Sequence, residues 1–333
     1  MYKRSFIKTC LTYLFVTLFI SGCKEQTLPG KSVSQLAHAD LGAYAAAISA
    51  DGRYSLVSST NQGVLLWDNR SNTVLFQWHQ DKNEQNLVHS LAISFDSQVA
   101  VTATDTNFAL WDIKTGQNRG FYRISKSTIR DIAISNEGRF VLYGRADNVV
   151  VLVDLAEGRR LEFLGHTEKI NSIALSPNGH FALTGGNDYT AYFWDTRTGQ
   201  VLHRFNHPSR VTKVALDNEG RYAFTADSMK KASIWRLTSG ELVSQLQYIA
   251  RQKIFSAVTF NKQGTLLATG TPNRQLTLWD LNTGEKQGLW QVEPREGSRP
   301  KSAVVFAAAF VDNDAALLTE SSNGMLERFE RNN

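Results

Sequence analysis

Four side chains near the middle of the chain have the types and spacing for proton-transfer chemistry: His166, Thr184, Asp188 and Trp194. An imidazole held by a carboxylate on one side and a hydroxyl on the other can act as a general base. The same groups can also form a buried structural network of carboxylate, imidazole, hydroxyl and indole N–H. The surrounding sequence distinguishes these two interpretations, because side chains with a structural role are expected to recur wherever the sequence repeats.

The stretch 169–200 recurs along the chain, with an aromatic or apolar residue as its marker. The marker column, at intervals of 41 to 50 residues, holds Trp67, Trp111, Val153, Trp194, Trp235, Trp279 and Phe329. An acidic residue follows in every copy except the fifth, where Arg236 stands. Runs of β-forming residues alternate with turns that contain glycine, such as Gly179 and Gly199. Because glycine supplies the positive φ that tight turns need, each copy is predicted to form four short strands.

A four-stranded unit of about 42 residues that ends near Trp-Asp resembles the WD-repeat family of β-propellers. The resemblance covers residues 33–333 in seven copies and implies an all-β fold, a seven-bladed β-propeller of four-stranded antiparallel blades. In that family the four side chains form a structural tetrad, here His166, Thr184, Asp188 and Trp194 of blade four. His38 and His207 stand near the equivalent histidine position of their blades, whereas Met229 replaces the aspartate in blade five. The resemblance therefore favours a framework role over a catalytic one.

The first 22 residues have the organisation of an export signal. A basic start precedes the apolar run 10–20, which is too short to cross a bilayer comfortably as a helix. The run ends in Ile20-Ser21-Gly22-Cys23, which resembles the lipobox of bacterial lipoproteins. An ordinary secretory signal is the alternative.

The lipobox resemblance implies that the signal is removed before Cys23, that this cysteine is acylated, and that residues 23–32 form a tether. Lys24 follows the cysteine. In the better-known sorting systems this residue implies delivery to the outer membrane, facing the periplasm, rather than retention in the inner membrane. The lipid bilayer is thus one expected partner, through the acyl chains on Cys23.

Charge and cysteine content narrow the function classes. Removal of the signal leaves 33 of the 36 basic residues. Against 31 acidic residues, this gives a net charge of +2. The pI of about 9.1 is therefore no argument for nucleic acid, and we expect no nucleic-acid partner. Cys10 leaves with the signal and Cys23 carries lipid, so cysteine nucleophiles, cysteine metal sites and disulfides are excluded from the mature domain.

The two ends of the chain predict how the ring closes. The seventh copy, 305–330, ends after its third strand, whereas residues 33–38 resemble an outer strand without a copy of its own. We expect this N-terminal strand to complete the last blade, which would remove an open sheet edge. In the family such a strand runs from the bottom face to the top face. We therefore expect the chain to enter from the bottom, with that face towards the membrane.

The start of the inner strand of each blade should face the top mouth of the central channel, where long connections also lie. That column holds Tyr44, His89, Arg130, Asn171, Thr212, Ser256 and Phe306. The candidate residues of a partner-binding rim are Tyr44, His89, Arg130, Arg210 and Lys253. An ordinary solvated rim is the alternative interpretation.

These patterns favour a membrane-anchored, non-catalytic protein-interaction scaffold of the bacterial cell envelope. We expect a monomer without cofactor, metal or catalytic residues, which binds an envelope protein through its top face. An exported quinoprotein-like enzyme is the alternative, since residues 281–290 have the Thr-Gly…Trp pattern of those propellers. However, only blade six has the tryptophan that recurs in them. A further alternative is an accessory role in outer-membrane protein assembly, by analogy of fold alone.

Overall fold

The computed structural model describes residues 29–80, 87–248 and 254–331, and these form a ring of seven antiparallel sheets with four strands each. The first strand of each sheet contacts the first strands of the neighbouring sheets and lines the channel. The predicted seven-bladed propeller is confirmed. Cys23 and the lipobox, together with Lys253, lie outside the described residues. Within the described ranges, no helix has the length and apolarity needed to span a membrane.

Strands are labelled β1 to β28 in chain order, and blades are numbered from the first complete sheet. Blade one comprises β2 (Ala45–Ile48), β3 (Tyr54–Ser59), β4 (Gly63–Asp68) and β5 (Thr73–Trp78). Blade two comprises β6 (Ser90–Ile93), β7 (Val99–Ala103), β8 (Asn107–Asp112) and β9 (Asn118–Arg123). Blade three comprises β10 (Ile129–Ile134), β11 (Phe140–Arg145), β12 (Val150–Asp154) and β13 (Arg160–Phe163), with a 3₁₀ turn at Asn136–Gly138.

The remaining blades follow the same pattern. Blade four comprises β14 (Ile170–Leu175), β15 (Phe181–Gly186), β16 (Thr190–Asp195) and β17 (Val201–Asn206). Blade five comprises β18 (Val211–Leu216), β19 (Tyr222–Asp227), β20 (Ala232–Arg236) and β21 (Leu242–Gln245). Blade six comprises β22 (Ala257–Phe260), β23 (Leu266–Gly270), β24 (Gln275–Asp280) and β25 (Lys286–Gln291). Blade seven comprises β26 (Val305–Val311), β27 (Ala316–Ser321), β28 (Met325–Glu330) and the N-terminal β1 (Ser34–Ala37).

Burial differs between the middle and outer strands of each blade. All five residues of β7 are buried, because a middle strand packs on neighbouring blades with both faces. The outer strand β5 is instead exposed along most of its length. The turns need glycine where blades meet: Gly179 has φ +73°, and a Cβ there would lie 2.2 Å from the ring of Phe140. Tertiary contact and backbone conformation therefore both require glycine at this turn.

The N-terminal strand closes the ring as predicted. β1 pairs antiparallel with β28, with Ser34 opposite Arg328 and Ala37 opposite Met325. The segment lies within the predicted range 33–38, and it gives blade seven its fourth strand. Closure thus covers the edge of β28, which would otherwise offer unpaired backbone groups.

Before β1, the chain contacts the outer strand of blade six. Gly30 forms a parallel bridge with Trp290, near the top end of the outer strand β25. Its N–H donates to the Leu289 carbonyl at 2.9 Å, and its carbonyl accepts from the Gln291 N–H at 3.0 Å. A Cβ at residue 30 would lie 2.5 Å from the Trp290 indole, so glycine permits this approach. The chain therefore reaches blade seven along the upper outer wall of blade six. β1 is antiparallel to β28 and so runs from the bottom face to the top face, as expected. The expected approach of the tether from the bottom face concerns residues before 29, which lie outside the described residues.

Small side chains line the channel. One position of each inner strand holds Ala47, Ala92, Ala133, Ala174, Ala215, Thr259 and Ala309. These residues line a cavity of about 330 Å³. Because alanine is short, the seven inner strands can approach one another without filling the axis. The inner strands of the closed ring thus surround the channel on all sides.

Candidate functional site

In blade four, three of the four candidate side chains form one hydrogen-bonded chain. His166 Nδ1 lies 2.8 Å from Asp188 Oδ2, and His166 Nε2 lies 2.9 Å from Thr184 Oγ1. The carboxylate can only accept, so Nδ1–H donates to it and Nε2 accepts from the hydroxyl. Asp188 also accepts from the backbone N–H of Thr167 at 3.1 Å. The group joins the connection before β14 to the turn between β15 and β16.

The fourth side chain, Trp194, packs beside this chain without joining it. Its indole is fully buried and stacks on Phe163 of blade three, with ring centroids 4.6 Å apart. Within the described residues, its Nε1 has no hydrogen-bond partner. In blade two, by contrast, Trp111 Nε1 donates to Thr102 Oγ1 at 2.9 Å. Packing between blades therefore holds Trp194.

Blade five contains a second set of this kind that the sequence alignment did not assign. Trp235 Nε1 donates to Thr225 Oγ1 at 2.8 Å, and that oxygen lies 2.8 Å from His207 Nε2. His207 Nδ1 lies 3.5 Å from Asp227 Oδ2. The carboxylate comes from the end of β19, two residues before Met229, which occupies the aligned aspartate position. Asp227 accepts backbone N–H bonds from the turn that follows it, including one from Met229 at 2.9 Å.

Electrostatics fix the protonation of these groups. Burial lowers the pKa of His207 to about 4, with a contribution from nearby Lys231, so the imidazole is neutral at pH 7. Burial also opposes ionisation of Asp188, but hydrogen bonds from His166 and from the backbone N–H groups of Thr167 and Thr190 outweigh it and hold the aspartate pKa below its ordinary value. The side chains of His166 and His207 have no solvent-exposed area. Both groups can thus stabilise their loops, but neither imidazole can reach a substrate from the surface.

The two threonines provide a matched test of this network. Thr225→Val removes a partner from both Trp235 and His207, whereas Thr184→Val removes a partner from His166 alone. Each buried polar group left unpaired costs about 1–3 kcal/mol, so we expect Thr225→Val to destabilise roughly twice as much. Urea unfolding of both variants measures the difference. An equal or larger loss for Thr184→Val would contradict the assigned bonds.

The ring-closing seam buries a further histidine and two glutamates. His38 Nδ1 lies 2.6 Å from Glu320 Oε1, and both side chains are inaccessible to solvent. The His38 ring also stacks on Trp67 of blade one, with centroids 4.3 Å apart. Val57 of blade one stands where blade four has Thr184, and it offers no acceptor for the Trp67 indole. His38 therefore pairs with blade seven and stacks on blade one, and it links the two blades at the seam.

The second seam carboxylate, Glu327 on β28, is also fully buried. Its oxygens accept the backbone N–H of Glu293 at 3.1 and 3.2 Å and the hydroxyl of Ser32 at 3.3 Å. Asn323 donates to it at 3.5 Å. Burial raises the pKa of Glu327 to about 7 despite these hydrogen bonds, and the charge of Glu293 adds to the rise. No sequence signal distinguishes this glutamate from an exposed one.

The candidate rim residues in the described ranges lie at the top mouth of the channel. Tyr44, Arg130 and Arg210 are exposed, and Tyr44 retains 44% of its surface. His89 is half-buried, with Nε2 3.2 Å from Asp105 Oδ1. Tyr44, His89 and Arg130 occupy equivalent backbone positions. Tyr44 and His89 directly precede β2 and β6, and Arg130 lies at the bulge near the start of β10. Arg210 stands directly before β18.

The two arginines of this rim carry unpaired charge. Among the residues that the structure describes, neither Arg130 nor Arg210 forms an ion pair. Seven other arginines in the described ranges form ion pairs with carboxylates, such as Arg221 with Asp217 at 2.6 Å. The described ranges contain no group of three or more acidic, histidine or cysteine residues that could hold a metal ion. The rim thus offers aromatic and cationic groups to a partner.

Comparison with known proteins adds one match. A protein-family model described as "WD domain, G-beta repeat" matches residues 158–195. This range runs from the end of blade three to Asp195 of blade four and includes all four side chains of the candidate tetrad. No curated protein matches the chain. The match and the seven-bladed ring together support a WD-repeat propeller.

Proposed function

We propose that this protein is a membrane-anchored, non-catalytic interaction scaffold of the bacterial cell envelope, which binds a partner protein through its top face. The observation that carries the proposal is the column of exposed Tyr44, half-buried His89 and exposed Arg130, with exposed Arg210 beside it, on a closed ring of seven blades. Propellers of the WD class commonly bind proteins, and arginine and tyrosine are enriched at binding hot spots. Unpaired arginines favour a partner surface that is acidic.

The anchoring part of the proposal rests on the N-terminal sequence. Cys23 would carry the acyl chains, and Lys24 favours the outer membrane, with the propeller in the periplasm. The segment that leads from this anchor lies on the wall of blade six from Gly30 onward. Attachment at the side wall leaves both faces of the ring accessible to other proteins.

Charge reversal at the rim tests the proposal. The variant Arg130→Glu/Arg210→Glu should lose its partner after chemical crosslinking and purification from membranes, because two unpaired cations become anions at one surface. Folding should be unaffected, since both side chains are exposed. Quantitative mass spectrometry of the purified complexes measures the loss. Unchanged recovery of envelope partners relative to the wild type would contradict the proposal.

A further inference from the structure

On the bottom face, one pair of neighbouring blades lacks a contact that other pairs make. Five blades have a glycine in the turn between their first two strands, and a Cβ on that glycine would point towards the preceding blade. Side chains of the preceding blade occupy that space in four cases, at 2.3 Å from Gly52, 3.1 Å from Gly138, 2.2 Å from Gly179 and 2.7 Å from Gly264. At Gly220 of blade five, nothing lies within 4 Å. A notch therefore separates blades four and five.

The side chain that would fill this notch points elsewhere. Phe181 of blade four stands where Phe140 stands in blade three, and Phe140 covers the turn of blade four at Gly179. Phe181 instead stacks on Phe193 of its own blade, with ring centroids 5.5 Å apart. The open space between the blades is consequently lined by aromatic rings.

The notch belongs to a cavity of about 800 Å³ that Gly220 helps to line. Ligand pockets in proteins typically measure about 300–1,000 Å³ and have apolar walls with a few polar groups. The apolar wall includes Phe140, Phe181, Leu202 and Leu216, and Leu202 is 40% exposed. An exposed leucine beside aromatic rings in a concave surface is suited to receive a large apolar side chain.

The charges around the notch are mostly negative. Glu137 and Glu219 line it, and within the described part of the chain neither carboxylate forms an ion pair. Asp217 is bonded to Arg221, and Arg139, the one arginine in the lining, is bonded to Asp154 and Glu157. Two uncompensated carboxylates therefore remain beside an apolar cavity. A cation next to an apolar group is the complementary ligand.

We propose that this notch is a docking site for a peptide segment of a partner protein, which inserts one large apolar side chain between blades four and five and places a Lys or Arg beside Glu137 or Glu219. This proposal rests on the proposed scaffold function, because the notch would be a second binding surface of the scaffold, opposite the top rim. A partner at each face would let one ring hold two proteins at once.

Selection of peptides tests the site without knowledge of the natural partner. A phage-displayed library of random peptides is selected on the purified full chain, and affinities of the selected peptides are measured by fluorescence anisotropy. We expect sequences with a large apolar residue beside Lys or Arg. Leu202→Lys places a repelling cation in the notch and should weaken their binding about tenfold or more. Glu219→Lys should weaken binding in the same direction, because it removes the attracting charge.

A matched control comes from blade one. Leu75 occupies the position in β5 that Leu202 occupies in β17 and is 38% exposed, so Leu75→Lys should leave affinity unchanged. Equal thermal unfolding of Leu75→Lys and Leu202→Lys shows that both fold. Arg130→Glu/Arg210→Glu should bind the peptides normally, which separates this site from the rim.

Three results would overturn the docking site. Selected peptides could bind Leu202→Lys as tightly as the wild type, or depend on Arg130 and Arg210 instead. Selection could also yield no basic-apolar motif while the cationic dye thioflavin T binds the wild type and not Leu202→Lys. That last result would assign the notch to a small cationic ligand and not to a protein.

Discussion

Replacement of Glu327 by glutamine is expected to abolish a loss of stability that the wild type shows between pH 4.5 and pH 7. The folded protein holds the pKa of this buried carboxyl at about 7, against an ordinary value of 4.5. Between these values the folded state binds more protons than the unfolded state, so the free energy of unfolding falls as pH rises. The shift corresponds to about 3 kcal/mol, present below pH 4.5 and lost above pH 7. Urea unfolding across this pH range measures it.

The matched control is Glu168→Gln, which changes an exposed glutamate on the top face. Its pH profile should follow that of the wild type. At pH 8 the Glu327→Gln variant should be the more stable protein, because it avoids a buried charge at the seam. A profile for Glu327→Gln that still falls from pH 4.5 to pH 7 would assign the effect to another group.

Replacement of His38 by alanine is expected to be the most damaging single change at the seam. It leaves the carboxylate of Glu320 buried without its partner at 2.6 Å, and it removes the ring that stacks on Trp67. A buried polar group left without its hydrogen-bond partner typically costs about 1–3 kcal/mol, and the lost ring packing adds to this. Thermal and urea unfolding of His38→Ala measure this loss.

A second substitution separates charge from packing at this pair. Glu320→Gln in the His38→Ala background removes the stranded carboxylate, so it should recover a substantial part of the lost stability. His203→Ala is the comparison, because that imidazole is half-buried and bonds the carbonyl of Leu237. If His38→Ala cost no more than His203→Ala, the proposed link between blades one and seven would be wrong.

The fold could be predicted from the sequence because its determinants are local and repeated. The tryptophan column and the glycine turns recur in each blade, and the lone segment 33–38 matches the strand missing from the last copy. The path before that segment could not be predicted. It depends on Gly30 fitting against Trp290, a contact between residues far apart in the chain.

The hydrogen-bonded histidine networks of blades four and five could be predicted only in part from the sequence. In blade four the resemblance to the WD repeat implied that His166, Thr184 and Asp188 lie together. In blade five the carboxylate moves from the turn to Asp227 at the end of a strand, so the alignment pointed to Met229 instead. A shift of two residues is easily absorbed by a β-turn, and only the folded geometry shows which carboxylate faces His207.

The open notch at Gly220 and the burial of Glu320 could not be predicted from the sequence pattern. Phe140 and Phe181 are the same residue at equivalent positions, yet one covers the next blade and the other leaves the notch at Gly220 open. Glu320 likewise looks like a solvated residue of a β-strand. Its partner, His38, comes from the opposite end of the chain, so its burial depends on ring closure.

The central claim, that the top rim binds an envelope protein, is tested most directly by a photo-crosslinking amino acid placed at position 130 in cells. The same amino acid at position 75, on the outer wall of blade one, is the control. The account predicts a discrete protein adduct at position 130 that is lost when Arg210 is changed to glutamate. No adduct at position 130, or the same adduct at position 75, would contradict it.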